Sequence, residues 1–381
     1  MHKNCKKYSG SRISWCPRER LLALQKFIDT CWQRGHILAR DRELLCWQYP
    51  YLEDSEHISM LIAEEGDTLV GMLGVIPVGF CVRGECLPGA WLTTWKVVPE
   101  WRDRALGLRL LRRAMAEDYV VGLLGGNEKT AMPIYRALRF DIWNIIPRWV
   151  RVVSPSALES LLAERAGLCS QDIWKTWCSV AQLDISSTKG RDVRLVGWSE
   201  KIDKQWDRTW QEKFAPRLLG TWRDANYLRW RYVNHPCFRY VLHFAKNPES
   251  DTLEGLLVYR IEKVRDRDEK VLRIVEFLSE EAVGGVLAQA AVEAGEAEGV
   301  AFADFFCISE AFAAPLEAVG FVREDKMSGS FPMLFQPLDF RQMWLNGAFW
   351  VGSEIARSNR NFFRTPHLYV TSSDGDQDRP N

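Results

Sequence analysis

Arg102, Arg104 and Arg109 surround one short turn, and that turn is where this sequence first suggests chemistry. Pro99-Glu100-Trp101-Arg102-Asp103-Arg104-Ala105-Leu106-Gly107 follows a strand-like run, Thr93 to Val98, and opens directly into a helical run ending near Met115. Apolar Leu106, Leu110 and Leu111 recur there at helical spacing. The first N–H groups of such a helix have no intrahelical partners, and the helix dipole adds partial positive charge at the same place. Three nearby guanidinium groups make the turn better suited to a pyrophosphate than to a neutral ligand. An ordinary strand-to-helix loop with solvated arginines has the same composition.

The elements that follow must position this turn. Tyr119 to Leu124 reads as a buried strand, and Asn127 to Leu138 as a short amphipathic helix ended by Arg139-Phe140. With that continuation the stretch resembles the GNAT superfamily of acyl-CoA-dependent N-acyltransferases, whose signature is Gln/Arg-x-x-Gly-x-Gly/Ala followed by Asn, Ala, Tyr and Gly-Phe. Here it stands as Arg102-x-x-Ala105-x-Gly107, then Asn127, Ala131, Tyr135 and Arg139-Phe140. Two glycines are replaced. Ala105 puts a methyl group where the family lets a phosphate approach the backbone. Arg139 takes a helix-end position where glycine eases a left-handed cap.

The resemblance implies a site. Two central parallel strands splay apart, with Val97 and Val98 at the border of the opening. The pyrophosphate of acetyl-CoA, or of another acyl-CoA, rests on the N–H groups of Arg104, Ala105, Leu106, Gly107 and Leu108, with Arg102 at the turn. Asn127 binds the cofactor arm through its amide, and no metal takes part. Tyr135 gives a proton to the departing thiolate, whose conjugate acid has a pKa of about 8.5.

A general base is harder to read. Glu64, Glu65 and Glu276 lie on or beside expected strands that lead toward the cleft. Glu276 sits inside the apolar run Arg273-Ile274-Val275-Glu276-Phe277-Leu278, where a carboxylate needs a partner such as Arg273, or a function. The end of the chain, Thr371 to Asn381, reads as a disordered acidic tail. Phe362-Phe363 and Leu368-Tyr369-Val370 are apolar enough to dock it, which would bring Asp374 or Asp376 to an acceptor site for a cationic amine.

At 381 residues and 44.0 kDa the chain exceeds the usual size of a single core. Its hydrophobic content of 47% and zero formal net charge argue against disorder and against a nucleic-acid partner. Ten cysteines are scattered without a Cys-x-x-Cys pair, so a zinc site is not expected, and the setting reads as reduced and cytoplasmic. Cys81 and Cys86 are spaced to face each other across a hairpin. No apolar run is long enough for a membrane partner. Seventeen tryptophans fit either an aromatic sugar cleft or large cores and seams.

Internal repetition sets the architecture. Leu44-Leu45-Cys46-Trp47-Gln48-Tyr49 has a counterpart in Tyr227-Leu228-Arg229-Trp230-Arg231-Tyr232, Gly71 in Gly255, and Thr130 to Phe140 in Ala313 to Phe321. The expected fold class is α/β: two tandem GNAT-like domains, each a twisted mixed sheet flanked by helices. The expected division is an extension at 1–17, a first domain at 18–153, a linker with a helix near 156–165 at 154–189, a second domain at 190–337, and a C-terminal helix and acidic tail at 338–381. In the second copy Glu280 and Glu281 stand where the phosphate turn would be, and Glu317 replaces the tyrosine, so acyl-CoA binding is expected to be lost there. The functional expectation is transfer of an acyl group, acetyl first, to a primary amine of a small molecule such as an amino sugar or amino-acid derivative. A non-catalytic acyl-CoA-binding or scaffolding protein, and a tRNA-dependent aminoacyl transferase of the tandem type, are the alternatives.

Overall fold

The computed structural model describes residues 10–116, 120–162, 193–326, 331–336, 338–339, 344–352 and 367–380. Strands β1 (Arg12–Pro17), β2 (His57–Glu65), β3 (Thr68–Val82), β4 (Glu85–Val97), β5 (Val120–Leu124) and β6 (Asp141–Trp143) belong to a first sheet. A second sheet is built from β7 (Arg148–Val152), β8 (Arg194–Val196), β10 (Val241–Lys246), β11 (Leu253–Lys263), β12 (Lys270–Ser279), β13 (Phe302–Phe306) and β14 (Val322–Arg323). Short β9 (Leu219–Thr221) joins the first sheet beside β3, and β15 (Leu334–Phe335) pairs with β16 (Leu338–Asp339). β17 (Gly347–Val351) and β18 (Leu368–Tyr369) close the chain. Both sheets are mixed α/β structures with buried central strands, because helices cover their faces.

The two halves exchange strands. The first sheet runs β1-β2-β3-β4-β5-β17-β6, so β17 from the chain end lies between β5 and β6. The second runs β14-β7-β13-β12-β11-β10-β8, so β7 from the first half lies between β13 and β14. Side-chain chemistry explains where β7 goes. Its buried Arg148 needs carboxylates, and it finds Asp304 at 2.6 Å and Glu324 at 3.3 Å, both in the second half. A division at residue 153 therefore cuts across the sheets. The stretch expected as a C-terminal helix supplies the strand β17, and positions 353–366 lie outside the described residues. In the linker a helix occupies Pro155–Leu162, and positions 163–192 are likewise outside them.

Matching glycines do matching work. Gly71 sits opposite Val97, and a Cβ there would lie 3.2 Å from Leu110 Cδ1 on the helix Leu106–Met115. Gly255 sits opposite Ser279, and its Cβ would lie 2.7 Å from Leu287 Cδ1 on the helix Glu281–Glu298. In each half glycine lets the helix after the fourth main strand settle directly on the sheet. Trp91, Trp149, Trp206 and Trp210 are fully buried, so these tryptophans fill cores. Cys81 and Cys86 are register partners on β3 and β4, both as free thiols. Among the described residues no helix is long and apolar enough to cross a membrane.

Candidate active site

β4 and β5 run parallel and are paired from Gly89↔Val120 to Leu92↔Leu123, and there the pairing stops. β4 continues to Val97 with a bulge, since Gly74 faces Thr93 while Met72 faces Lys96. Thr94 takes φ +42°, a left-handed value that a β-branched residue rarely adopts. Hydroxyl groups hold it from behind: Tyr49 Oη lies 2.6 Å from Thr94 Oγ1 and 2.7 Å from Thr93 Oγ1, and accepts from Gln48 Nε2 at 2.7 Å. Only glycine fits opposite, because a Cβ on Gly74 would lie 2.4 Å from Thr94 Oγ1.

The gap between the parting strands is a cavity of about 740 Å³. Its walls include Val97, Arg102, Ala105, Gly107, Leu108, Asn127 and Tyr135, so most of the residues expected from the sequence meet there. Ala105 is the left-handed N-cap, φ +53°, of the helix Leu106–Met115, whose first bonded N–H, that of Arg109, goes to the Ala105 carbonyl. The earlier N–H groups sit at the helix head beside the cavity. Gly107 admits Trp95, since a Cβ would lie 3.0 Å from its Cζ2. Asn127 Oδ1 is consumed by the N–H groups of Lys129 and Thr130, both at 3.0 Å, which leaves its amide donor to face a ligand.

Tyr135 is buried against Trp95 and Phe140, with ring centroids 5.6 and 4.9 Å away. Its hydroxyl bonds no other described residue, and burial pushes its pKa above the usual tyrosine value, so it keeps its proton. Arg139 adopts φ +62°, the left-handed helix end anticipated from its place in the signature.

Other expected residues are directed elsewhere. Leu106 is packed into the core. Val98 lies off the cavity wall, its N–H bonded to the Val70 carbonyl at 3.0 Å. The Arg104 N–H is bonded to the Trp101 carbonyl at 3.3 Å, and its guanidinium lies 4.6 Å from the Trp101 ring centroid. Arg109 reaches Ser11 Oγ and the Ser11 carbonyl, both at 2.8 Å, and so braces β1 instead of the turn. Residues 26–124, which contain the splayed strands and the helix head, match the model of the acetyltransferase (GNAT) domain.

That stretch is similar to the GNAT acetyltransferase domain. No curated protein matches its sequence. A GCN5-related N-acetyltransferase from Anabaena variabilis superposes with a TM-score of 0.57 at 11% identity, over 90% of this chain and 72% of that one. N-myristoyltransferase from Saccharomyces cerevisiae, solved with myristoyl-CoA, gives 0.54 at 12% identity, over 92% of this chain and 81% of that one. A GCN5-related N-acetyltransferase from Kribbella flavida gives 0.54 at 14% identity, over 90% and 71%. At such identities the shared property is the fold.

Glu276 does not line the GNAT cleft, which corrects its expected place as a catalytic base. It is fully buried on β12, where its carboxylate accepts from Arg223 Nε at 2.7 Å, Tyr232 Oη at 2.6 Å and Tyr369 Oη at 2.8 Å. Burial raises its pKa, and its carboxylate is engaged by buried partners away from the cavity. Glu64 pairs with Arg12 at 3.0 Å and Arg20 at 2.7 Å, and neither it nor Glu65 reaches the cavity.

The acidic tail is an ordered, buried strap, contrary to the disordered end expected from composition. Asp374 pairs with Arg223 at 2.7 Å, Asp378 pairs with Arg260 at 2.8 Å, and Arg231 Nε donates to the Ser373 carbonyl at 3.0 Å. Three arginines of the second half thus repay burial of the tail's charges. Asp374 is spent in this way, whereas Asp376 reaches the GNAT cavity together with Gln377 and Arg379.

In the second sheet the equivalent gap is closed. β12 and β13 are parallel and part after Ile274↔Phe305. The strap enters the opening: Phe277 N–H donates to Tyr369 Oη at 2.9 Å, Ile308 N–H to the Val370 carbonyl at 3.0 Å, and Ser373 Oγ to the Val275 carbonyl at 3.4 Å. At the helix head, a Cβ on Gly284 would lie 2.5 Å from Pro315 Cγ, and Glu280 pairs with Arg217. The residues missed from sequence, Tyr49 and Arg223, carry signals only as long-range partners.

Proposed function

We propose that this protein transfers a short acyl group, acetyl in the simplest case, from acyl-CoA to a primary amine of a small molecule. One observation carries the reading: the open edge of β4, the head of the helix Leu106–Met115 and the hydroxyl of Tyr135 meet in a single cavity. Backbone donors and the Arg102 guanidinium would hold the pyrophosphate, and Asn127 the arm. The second half, its gap filled by the strap, would serve as a wall and an anchor.

The floor of the cavity favours a short acyl group. Thr93 and Thr94 line the cavity there, and their hydroxyls are bonded to Tyr49 behind them. A long hydrocarbon would have to displace bonded polar groups that gain nothing from it. In the reaction the amine nitrogen bonds the acyl carbon, the carbon–sulfur bond breaks, and the sulfur leaves with the Tyr135 proton. The proton lost by the amine restores the phenol through solvent.

A buried tyrosine with an uncommitted hydroxyl favours an enzyme over a passive binding module. The scatter of cysteines supports a reducing, cytoplasmic setting. Thermal unfolding with acetyl-CoA, paired with thiol release across a panel of amines, tests the assignment. Stabilisation together with amine-dependent thiol release supports it, stabilisation without turnover supports the binding module, and dependence on charged transfer RNA supports the aminoacyl alternative.

A further inference from the structure

We infer that the acceptor is a small zwitterion, held with its ammonium group at Asp376 and its carboxylate at Arg379. The inference rests on the acyl-transfer reading and identifies the acceptor for that same cavity. Asp376, Gln377 and Arg379 of the strap line the cavity that contains Tyr135. Gln377 Nε2 donates to the Leu124 carbonyl at 3.2 Å, which ties this wall to the end of β5 where the strands part. The acceptor wall therefore adjoins the place where an acyl group would lie.

The wall shows one charge of each sign. Asp376 pairs with Arg379 through Oδ2 and accepts from Gln377 Nε2 through Oδ1 at 3.1 Å. Trp32 joins them, with the Arg379 guanidinium 5.5 Å and the His36 ring 4.5 Å from its ring centroid. Two donors in this cluster are unused: Arg379 Nε and His36 Nε2 are buried and have no hydrogen-bond partner among the described residues. His36 Nδ1 accepts the Leu38 N–H at 3.2 Å, so the neutral ring carries its proton on Nε2. His36 is only 2% exposed, and burial with the Arg379 charge keeps it neutral.

A buried donor without an acceptor marks a place for an acceptor atom, and Arg379 Nε belongs to a fixed positive charge on the cavity wall. An oxyanion satisfies that need. A plain amine would meet Asp376 but also the repulsion of Arg379, and it would leave the Arg379 donor empty. Because Asp376 and Arg379 touch, the two charges of the ligand must be only a few bonds apart, as in an amino acid.

The test uses the full-length protein with acetyl-CoA and follows thiol release with the common amino acids, each compared with the amine that lacks only its carboxylate. The best amino acid is expected to exceed its matched amine in kcat/KM by about 10- to 100-fold. Arg379→Met is expected to bring that ratio close to one by raising KM with kcat retained, while Asp376→Asn raises KM for both members of a pair. Both variants should keep the wild-type thermal shift with acetyl-CoA, which shows an intact fold and cleft. A wild-type protein that acylates plain amines as well as amino acids overturns the inference, and so does an unchanged ratio in Arg379→Met. If that variant does not fold, the wild-type comparison decides alone. If no amine is acylated, the acyl-transfer reading fails by itself, and calorimetry of amino acids with the wild-type protein decides whether the zwitterion site stands. Absence of binding there sinks it.

Discussion

Trp47 and Trp230 bond each other's backbone. Trp47 Nε1 donates to the Trp230 carbonyl at 3.1 Å, Trp230 Nε1 donates to the Trp47 carbonyl at 3.2 Å, and the rings stack at 5.4 Å. These residues occupy the same place in the two sequence repeats, so the halves touch as two copies touch across a dimer axis. The same relation recurs behind each sheet opening. Tyr49 holds Thr94 at the bulge of β4, and Tyr232 holds Glu276 at the bulge of β12, both at 2.6 Å.

Because each indole satisfies the other's segment, Trp47→Ala and Trp230→Ala should each lower unfolding stability by about 2 to 4 kcal/mol. The double variant should lose less than the sum of the two. Urea unfolding of the four proteins measures this coupling, and strictly additive losses would show two independent contacts.

Tyr135→Phe should reduce kcat by about 100-fold or more and leave the affinity for acetyl-CoA unchanged. Burial raises the pKa of this phenol, so the acid is protonated throughout the neutral range. Loss of its proton should therefore impose no fall in rate below about pH 10. A kcat that survives the substitution removes Tyr135 from proton transfer.

Glu276→Gln should destabilise the protein by about 3 kcal/mol, because Arg223 loses one of its two buried carboxylate partners. The strap should then become open to proteolysis between positions 371 and 380. Limited digestion with mass mapping reads this directly. A variant with wild-type melting and digestion but no turnover would restore Glu276 as a catalytic group.

Ala105→Gly should raise stability by about 0.5 to 1 kcal/mol, since φ +53° strains alanine and not glycine. It also removes a methyl group from the cavity wall, so acetyl-CoA should bind more tightly. Calorimetry and thermal melting test both parts, and a lower melting temperature would contradict the strain.

His36 and His235 both have pKa values lowered to about 3, burial being the first cause and nearby arginines the next. The unfolded chain binds their protons near pH 6.5 and the folded chain does not, so their stability is present above pH 6.5 and is lost as pH falls toward 3. At pH 5 each should cost roughly 1 to 2 kcal/mol relative to pH 7. Each ring nitrogen Nδ1 accepts backbone N–H groups, so Asn is a fitting replacement. His36→Asn and His235→Asn should flatten the acid side of the melting profile, and an unchanged profile would refute the cause.

Much of the cleft is a local property of the sequence. The turn before Gly107, the helix after it, and the spacing of Asn127 and Tyr135 lie within fewer than 50 residues, and backbone geometry alone brings them to one edge of the sheet. The repeat was legible as well, because Gly71 and Gly255 answer to the same close contact of helix on sheet. What only tertiary structure decided is which distant segments complete each half. An apolar strand such as β17 pairs equally well with many edges, and its seat between β5 and β6 follows from the whole sheet. Glu276 and the acidic tail looked functional or unfolded because their neutralising partners, Arg223, Arg231 and Arg260, stand more than 40 residues from Glu276 or more than 100 from the tail. A charge is costly to bury until its partner arrives, and a linear chain does not say which partner that is.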